Sequence, residues 1–377
     1  VLGIGQVGRN DNFFELGGDS ILSLQIVTKA RRAGWKIMPR QLFERQTIAA
    51  LASIAKPLEE LAKTIPAQRD LSDITAPIPM LPIQLDFFAQ AIPRRQHWNQ
   101  AVLLKSRQPL QENWLDQVLQ AVVQHHQALH FCYREQTNGQ WQQMNAESST
   151  QEVLWVRQAA DAEQLLALCN ETQRSLNLQQ GSLLRAMLVD MADHTQRLLL
   201  VVHHLVIDGV SWRILIEDLE IAYHQAMNHA AINLSEVTTG YPVWTQRLQQ
   251  YSDGHAVEFA YWQGQANVPV SLPCDFPEGS NSTFNHTRIT ARLDQTRTQA
   301  LLKDAPVAYR TQVNDLLLTA LGSALCQWSG HQKILVNLEG HGREDLYPDI
   351  DLSRTIGWFT TLFPVILDPS GDLSQRI

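Results

Sequence analysis

The sequence predicts a multidomain fold, a small all-α helical bundle followed by a larger layered α/β domain, and three observations predict it. Apolar side chains recur with helical spacing over about 20–33 and 47–56, with a short turn of helix near 39–45 between them. From Pro77 onward, short apolar runs alternate with helical stretches, which favours layered α/β over a bundle. Charge divides near the same place: of the net −8, residues 1–56 carry +4 and the remaining 321 residues carry −12.

The first helix follows a polar turn. Gly17 and Gly18 permit a tight turn with positive φ, and Asp19 or Ser20 caps the helix that runs through Ile21, Leu22, Ile26, Val27 and Ala30 to a stop at Gly34. Anionic groups attached at Ser20 would lie at the positive end of that helix's dipole. Residues 57–76 are charged and proline-marked and read as a linker, with some helical content over Leu58–Lys63. A coil of this length spans about 25 Å. Beyond it, Ala101–Lys105, Leu198–Val202, Ile334–Leu338 and Pro364–Asp368 read as strands. Trp114–His125, Asp161–Ser175, Val210–Met227, Glu258–Gln265 and Val313–Trp328 read as helices.

Composition narrows the function classes. At 377 residues and 44% hydrophobic, the chain is long enough for two or three domains. No run reaches the roughly 18 to 20 apolar residues of a membrane span, and no signal peptide is visible, so a cytoplasmic location is expected. Cys132, Cys169, Cys274 and Cys326 form no Cys-x-x-Cys pair, which argues against zinc sites and a disulfide framework. The cluster Lys29, Arg31, Arg32 and Lys36 lacks aromatic interleaving and reads as a solvated helix face, not a nucleic-acid surface. No metal site is expected. His125-His126 at a helix end has no Asp, Glu or Cys at ligand spacing.

Two motifs carry a resemblance. Phe13-Phe14-Glu15-Leu16-Gly17-Gly18-Asp19-Ser20, with Pro39–Phe43 and Thr47–Leu51 after it, resembles the carrier-protein signature of nonribosomal peptide synthetases. That resemblance implies a 4'-phosphopantetheine esterified to Ser20, bordered by Gly18 and Asp19, which holds the substrate as a thioester. The second motif is Val202-His203-His204-Leu205-Val206-Ile207-Asp208-Gly209-Val210-Ser211-Trp212, an apolar strand ending at a double histidine before a loop and a helix. It resembles the His-His-x-x-x-Asp-Gly motif of the condensation superfamily, whose fold pairs two chloramphenicol-acetyltransferase-like lobes. Strand alternation lets only one of His203 and His204 face a cavity; the family resemblance implies His204. The same resemblance implies that Asp208 orients the loop through an arginine, either Arg343 or Arg354, and that His203, Gly209, Ser211 and Trp212 support the site.

Further segments indicate the branch. Leu338-Glu339-Gly340-His341-Gly342-Arg343-Glu344 and Arg354-Thr355-Ile356-Gly357-Trp358-Phe359-Thr360 are similar to epimerization-domain motifs, and Pro82-Ile83-Gln84-Leu85 to the opening motif, with Asp86 where an aromatic is frequent. The organisation implied is a carrier domain at 1–56 lacking its first helix, a linker at 57–76, and an epimerization domain at 77–377 with an N-lobe to about 250 and a C-terminally incomplete second lobe. Inverting an α-carbon requires removing its hydrogen from one face and delivering one to the other. His204 and Glu339 supply two such groups, and either can take the L-face proton; a structural role for Glu339 beside Gly340 and Gly342 is the bland reading. Alternatives of the same fold are a condensation domain, which uses His204 in attack by an acceptor amine, and a catalytically silent docking module. Expected partners are an upstream adenylation domain, a downstream condensation domain, a phosphopantetheinyl transferase and the carrier-tethered aminoacyl or peptidyl substrate.

Overall fold

The computed structural model describes residues 1–18, 20–37, 39–57, 76–146, 152–254, 256–265, 268, 271–280, 282–347 and 349–372. Residues 58–75 of the linker expected at 57–76, and Asp19, lie outside them. The chain divides into two compact units: one comprises Val1–Glu60, His255–Gly340 and Leu362–Ile377, the other Leu61–Gly254 with His341–Thr361.

In the first unit, residues 1–57 form helices α1 (Ser20–Arg32), α2 (Pro39–Glu44) and α3 (Ile48–Ala52), with a short antiparallel pair of β1 (Trp35–Lys36) and β2 (Lys56–Pro57). Phe13, Val27, Ile37 and Leu42 make the core, flanked by Leu22, Ile26 and Leu51. Thr47 caps α3 by accepting from the Ala50 N–H. The helical stretch expected over 47–56 is therefore shorter: it ends at Ala52, and Lys56 and Pro57 turn extended to pair with Lys36 and Trp35. Gly18 is required by packing, since a Cβ there would come within 2.5 Å of the Phe13 ring.

The second unit holds α4 (Pro82–Ala89), β3 (Asn99–Lys105), α5 (Glu112–His125), the hairpin β4 (Phe131–Glu135) and β5 (Trp141–Asn145), β6 (Leu154–Ala159), α6 (Ala162–Gln173), β7 (Leu184–Met191), β8 (Gln196–His203), α7 (Gly209–Met227) and α8 (Tyr241–Gly254). Its four-stranded sheet has the order β3-β8-β7-β6, antiparallel except for the β6–β7 pair, which α6 connects. Both faces are covered, and this is why Leu198–Val202 of β8 is continuously apolar. Leu200 and Val202 face the main core with Leu119 and Val122 of α5 and Leu215 of α7. Leu199 and Val201 face the opposite cluster beside Leu165 and Leu168 of α6. Successive side chains alternate between faces, so one apolar run serves two cores.

Back in the first unit, α9 (Ala256–Gln265), α10 (Gln295–Gln299), α11 (Ala305–Tyr309) and α12 (Val313–Ser329) precede β9 (Ile334–Gly340), which pairs with β10 (Thr361–Leu367). Cys326, Ile334 and Leu367 form a small buried cluster there. Among the described residues, no helix is long and apolar enough to cross a membrane.

Candidate active site

Strand β8 delivers the two histidines in succession and the chain then tightens into a short 3₁₀ turn, His204–Val206, before α7. His203 is fully buried and both its nitrogens have partners. Nε2 lies 2.7 Å from the Arg95 carbonyl oxygen, and Nδ1 accepts from the Leu205 N–H at 3.2 Å. Burial pulls its pKa from 6.5 down to about 4, against the opposing bond to Arg95 and aided by neighbouring His204. His203 is thus a neutral structural group.

His204 is only partly buried. Its Nδ1 sits 2.8 Å from the Ile207 carbonyl oxygen and its Nε2 3.0 Å from the side-chain nitrogen of Gln100. The Trp358 ring lies alongside, with centroids 4.3 Å apart and planes inclined by 33°. Gln100 pairs with Val202 across the β3–β8 ladder and so shares that residue's face, the one covered by α7. There its Oε1 accepts from the indole Nε1 of Trp212 at 2.7 Å. The turn itself is held by Gln84, whose buried amide donates to the Leu205 carbonyl at 3.1 Å.

Asp208 caps α7. Its Oδ1 accepts from the Ser211 N–H at 2.7 Å, and its Oδ2 from the Phe359 N–H at 3.1 Å. Of the two arginines expected as its partner, the structure selects Arg343, whose Nη2 donates to both carboxylate oxygens and to Ser211 Oγ. Nη1 of Arg343 donates to the Thr355 carbonyl, and its guanidinium carbon lies 4.0 Å from the Phe359 ring centre. Burial lowers the Arg343 pKa, while Asp208 works to raise it. Ser211 completes the clasp, donating to the Gly357 carbonyl and accepting from its N–H. His203, His204, Asp208, Gly209, Ser211, Trp212 and Arg343 therefore belong to one hydrogen-bonded construction or its immediate framework. Glu339 belongs to the first unit, on β9, at an exposed strand position.

Arg354 serves a different cluster. It donates to Asp218, and to Glu217 at 2.6 Å. Asp218 also approaches Nε2 of His126 at 2.9 Å, while Nε2 of His125 is tied to the Ser235 carbonyl. Burial drives the Asp218 carboxyl upward, but His126 and Arg354 outweigh it and hold it below its ordinary value. Spacing along the chain provides the histidine pair with no acidic neighbour; the fold supplies one. His125, His126 and Asp218 each bring one ligand atom within 4.8 Å of the others.

Ser20 opens α1, a 13-residue helix with no acidic residue in its first turn. Positive φ at Gly17 turns the chain into that position. A helix N-terminus suits an attached phosphodiester. Sequence reasoning missed Gln100, and it placed Trp358 in a motif without giving it a role at the site. A polar residue at a core-facing strand position was the available signal for Gln100.

The family model described as "Condensation domain" matches residues 75–377, and that described as "Phosphopantetheine attachment site" matches residues 1–54. A linear gramicidin synthase protein of Brevibacillus parabrevis is 42% identical over 386 residues, covering all of this chain and 7% of that protein. Tyrocidine synthase 2 of Brevibacillus parabrevis is 38% identical over 379 residues, covering 98% of this chain and 10% of that protein. This chain thus spans a small part of the length of these curated relatives. Among solved structures, the epimerization domain from the third module of tyrocidine synthetase B aligns with a TM-score of 0.73 and 36% identity, over 80% of this chain and 70% of that one. The X-domain from teicoplanin biosynthesis aligns with a TM-score of 0.66 at 20% identity, over 78% of this chain and 66% of that one, a likeness of fold.

Proposed function

The chain belongs to the condensation-domain family and carries a phosphopantetheine-attachment domain ahead of it, and from that premise we propose that it epimerizes an L-aminoacyl or L-peptidyl thioester during nonribosomal peptide synthesis. The phosphopantetheine arm on Ser20 supplies the thiol that carries the substrate. The observation that carries the reading is the setting of His204, whose Nδ1 is committed to a backbone carbonyl at 2.8 Å, leaving Nε2 as the working atom. An imidazole so placed can take up a proton at Nε2 and return it.

The choice of inversion over peptide-bond formation rests on the Glu339–Glu344 segment and on the 36% identity to an epimerization domain. Inversion needs one proton-transfer group for each face of the α-carbon, and we assign these to His204 and Glu339. The thioester carbonyl delocalises the charge left when the α-proton departs. Each well-placed acid or base contributes about 10²- to 10⁴-fold. Asp208, Ser211 and Arg343 hold the loop and the 341–361 segment that frame His204; they move no proton.

The test is the fate of the α-hydrogen. A loaded L-thioester held in D₂O, then hydrolysed and resolved by chirality, yields deuterated D-residue with the parent chain. His204→Ala and Glu339→Gln each abolish inversion. Undiminished inversion in Glu339→Gln would overturn the two-group assignment, and absence of inversion in the parent chain would overturn the epimerase reading.

A further inference from the structure

We propose that Gln100 is a positioning residue that locks His204 in a single neutral tautomer, with the proton on Nδ1 and a lone pair on Nε2, and that Trp212 sets the polarity of that lock. The inference rests on the reading of His204 as a proton-transfer group, but its evidence is geometric.

The network begins at the indole. Trp212 Nε1–H can only donate, and it lies 2.7 Å from the Gln100 side-chain oxygen. The reverse orientation of the amide would set two donors against each other, so the network itself assigns oxygen toward Trp212 and nitrogen toward His204. The Gln100 NH₂ therefore points at His204 Nε2 from 3.0 Å, and Nε2 must accept. At the other end of the ring Nδ1 faces the Ile207 carbonyl oxygen, which can only accept, so Nδ1 must donate. Two independent partners, one on β3 and one in the turn after β8, require the same tautomer.

The lock has a direction. A proton arriving at Nε2 meets the Gln100 NH₂, donor against donor, until the amide turns about its terminal bond and gives up Trp212. Proton uptake by His204 is thereby coupled to reorientation of one side chain. Register fixes the arrangement, because Gln100 sits opposite Val202, two residues before His204, on the face that α7 covers. Any slip of β3 by one residue would put Gln100 on the other face.

Gln100→Glu tests the polarity with almost no change of shape. The carboxylate still accepts from Trp212, but its second oxygen now accepts where the amide donated, calling for a proton on Nε2. Nitrogen-15 NMR of the intact chain, labelled at histidine and assigned with His204→Ala, reads the proton's position without turnover. The parent chain should show His204 protonated at Nδ1 alone; Gln100→Glu should move most of the signal to the imidazolium, protonated at Nε2 as well, because Nδ1 still donates to the Ile207 carbonyl. Gln100→Leu, which removes the donor and keeps the bulk, should populate both tautomers and lower kcat for α-deuterium exchange about 10-fold or more, with KM changed far less. A His204 spectrum identical in the parent chain and Gln100→Glu would overturn the proposal. A parent chain that shows the Nδ1 tautomer but exchanges no α-hydrogen would overturn the epimerase reading and leave this one standing.

Discussion

Nη2 of Arg343 donates to both oxygens of Asp208, at 3.0 and 3.2 Å, with the two side chains only 1% and 5% exposed. The pair joins the first turn of α7 to the 341–361 segment, and each carboxylate oxygen also accepts from a backbone N–H of one or the other. A buried pair of this kind is weak evidence of net stability, but breaking it leaves a charge without compensation.

Asp208→Asn keeps a good helix cap and removes the charge. We expect a loss of about 3 kcal/mol, because Arg343 is then a buried cation without its anion. Arg343→Met should cost a similar amount, and the double variant much less than the sum of the two. Urea unfolding of the four proteins measures the coupling; additive losses would show that the two groups act separately.

The backbone beneath this pair is equally constrained. Gly342 has φ +65°, and a Cβ there would fall 1.6 Å from the Phe359 carbonyl oxygen. Gly342→Ala must shift the segment whose N–H meets Asp208, so we expect a loss of about 3 kcal/mol or more. Gly139 is the control, with φ +79° but nothing within 4 Å of the added carbon. Gly139→Ala should cost only about 1 kcal/mol, the conformational penalty alone. Equal losses at the two positions would count against the close approach.

Much of this was legible before the fold was known, and the limits are physical. The strand, double histidine, capping aspartate and following helix stand consecutively, so local pattern and motif spacing reveal them. The choice of Arg343 over Arg354 was not legible: both lie more than a hundred residues from their acids, and only packing separates the Asp208 clasp from the Asp218 cluster. Gln100 stayed hidden for the same reason, since its meaning comes from the β3–β8 register. Strand β7 was missed on composition. Leu184-Arg185-Ala186-Met187-Leu188 is rich in helix formers, and pairing on both edges with β8 and β6 overrides that preference.

His203 makes the stability of the second unit depend on pH. Its folded pKa, about 4, lies below the ordinary 6.5 that the unfolded chain regains, because burial penalises the cation. Between those values the unfolded chain binds the extra proton, so stability rises with pH there. The contribution is complete above about 6.5 and is lost as the pH falls toward 4, by at most about 3 kcal/mol. His203→Gln does not titrate, and a urea series across this window should show a flatter acid side for the variant. Parallel curves would assign the acid loss to other groups.

Ser20→Ala separates attachment from catalysis. Alanine removes the serine hydroxyl while keeping a strong helix former at the first position of α1. The fold of residues 1–57 rests on Phe13, Val27, Ile37 and Leu42, none of which changes, so the urea midpoint should stay near that of the parent chain. Incubated with coenzyme A and a phosphopantetheinyl transferase, the parent gains the mass of one arm and the variant gains none. With no arm there is no tethered thioester, and inversion of a carrier-linked substrate in cis should fall to background although His204 and Glu339 are untouched. An arm found on the variant, or inversion in cis at the parent's rate, would remove Ser20 as the attachment point and send the search to another hydroxyl within residues 1–54.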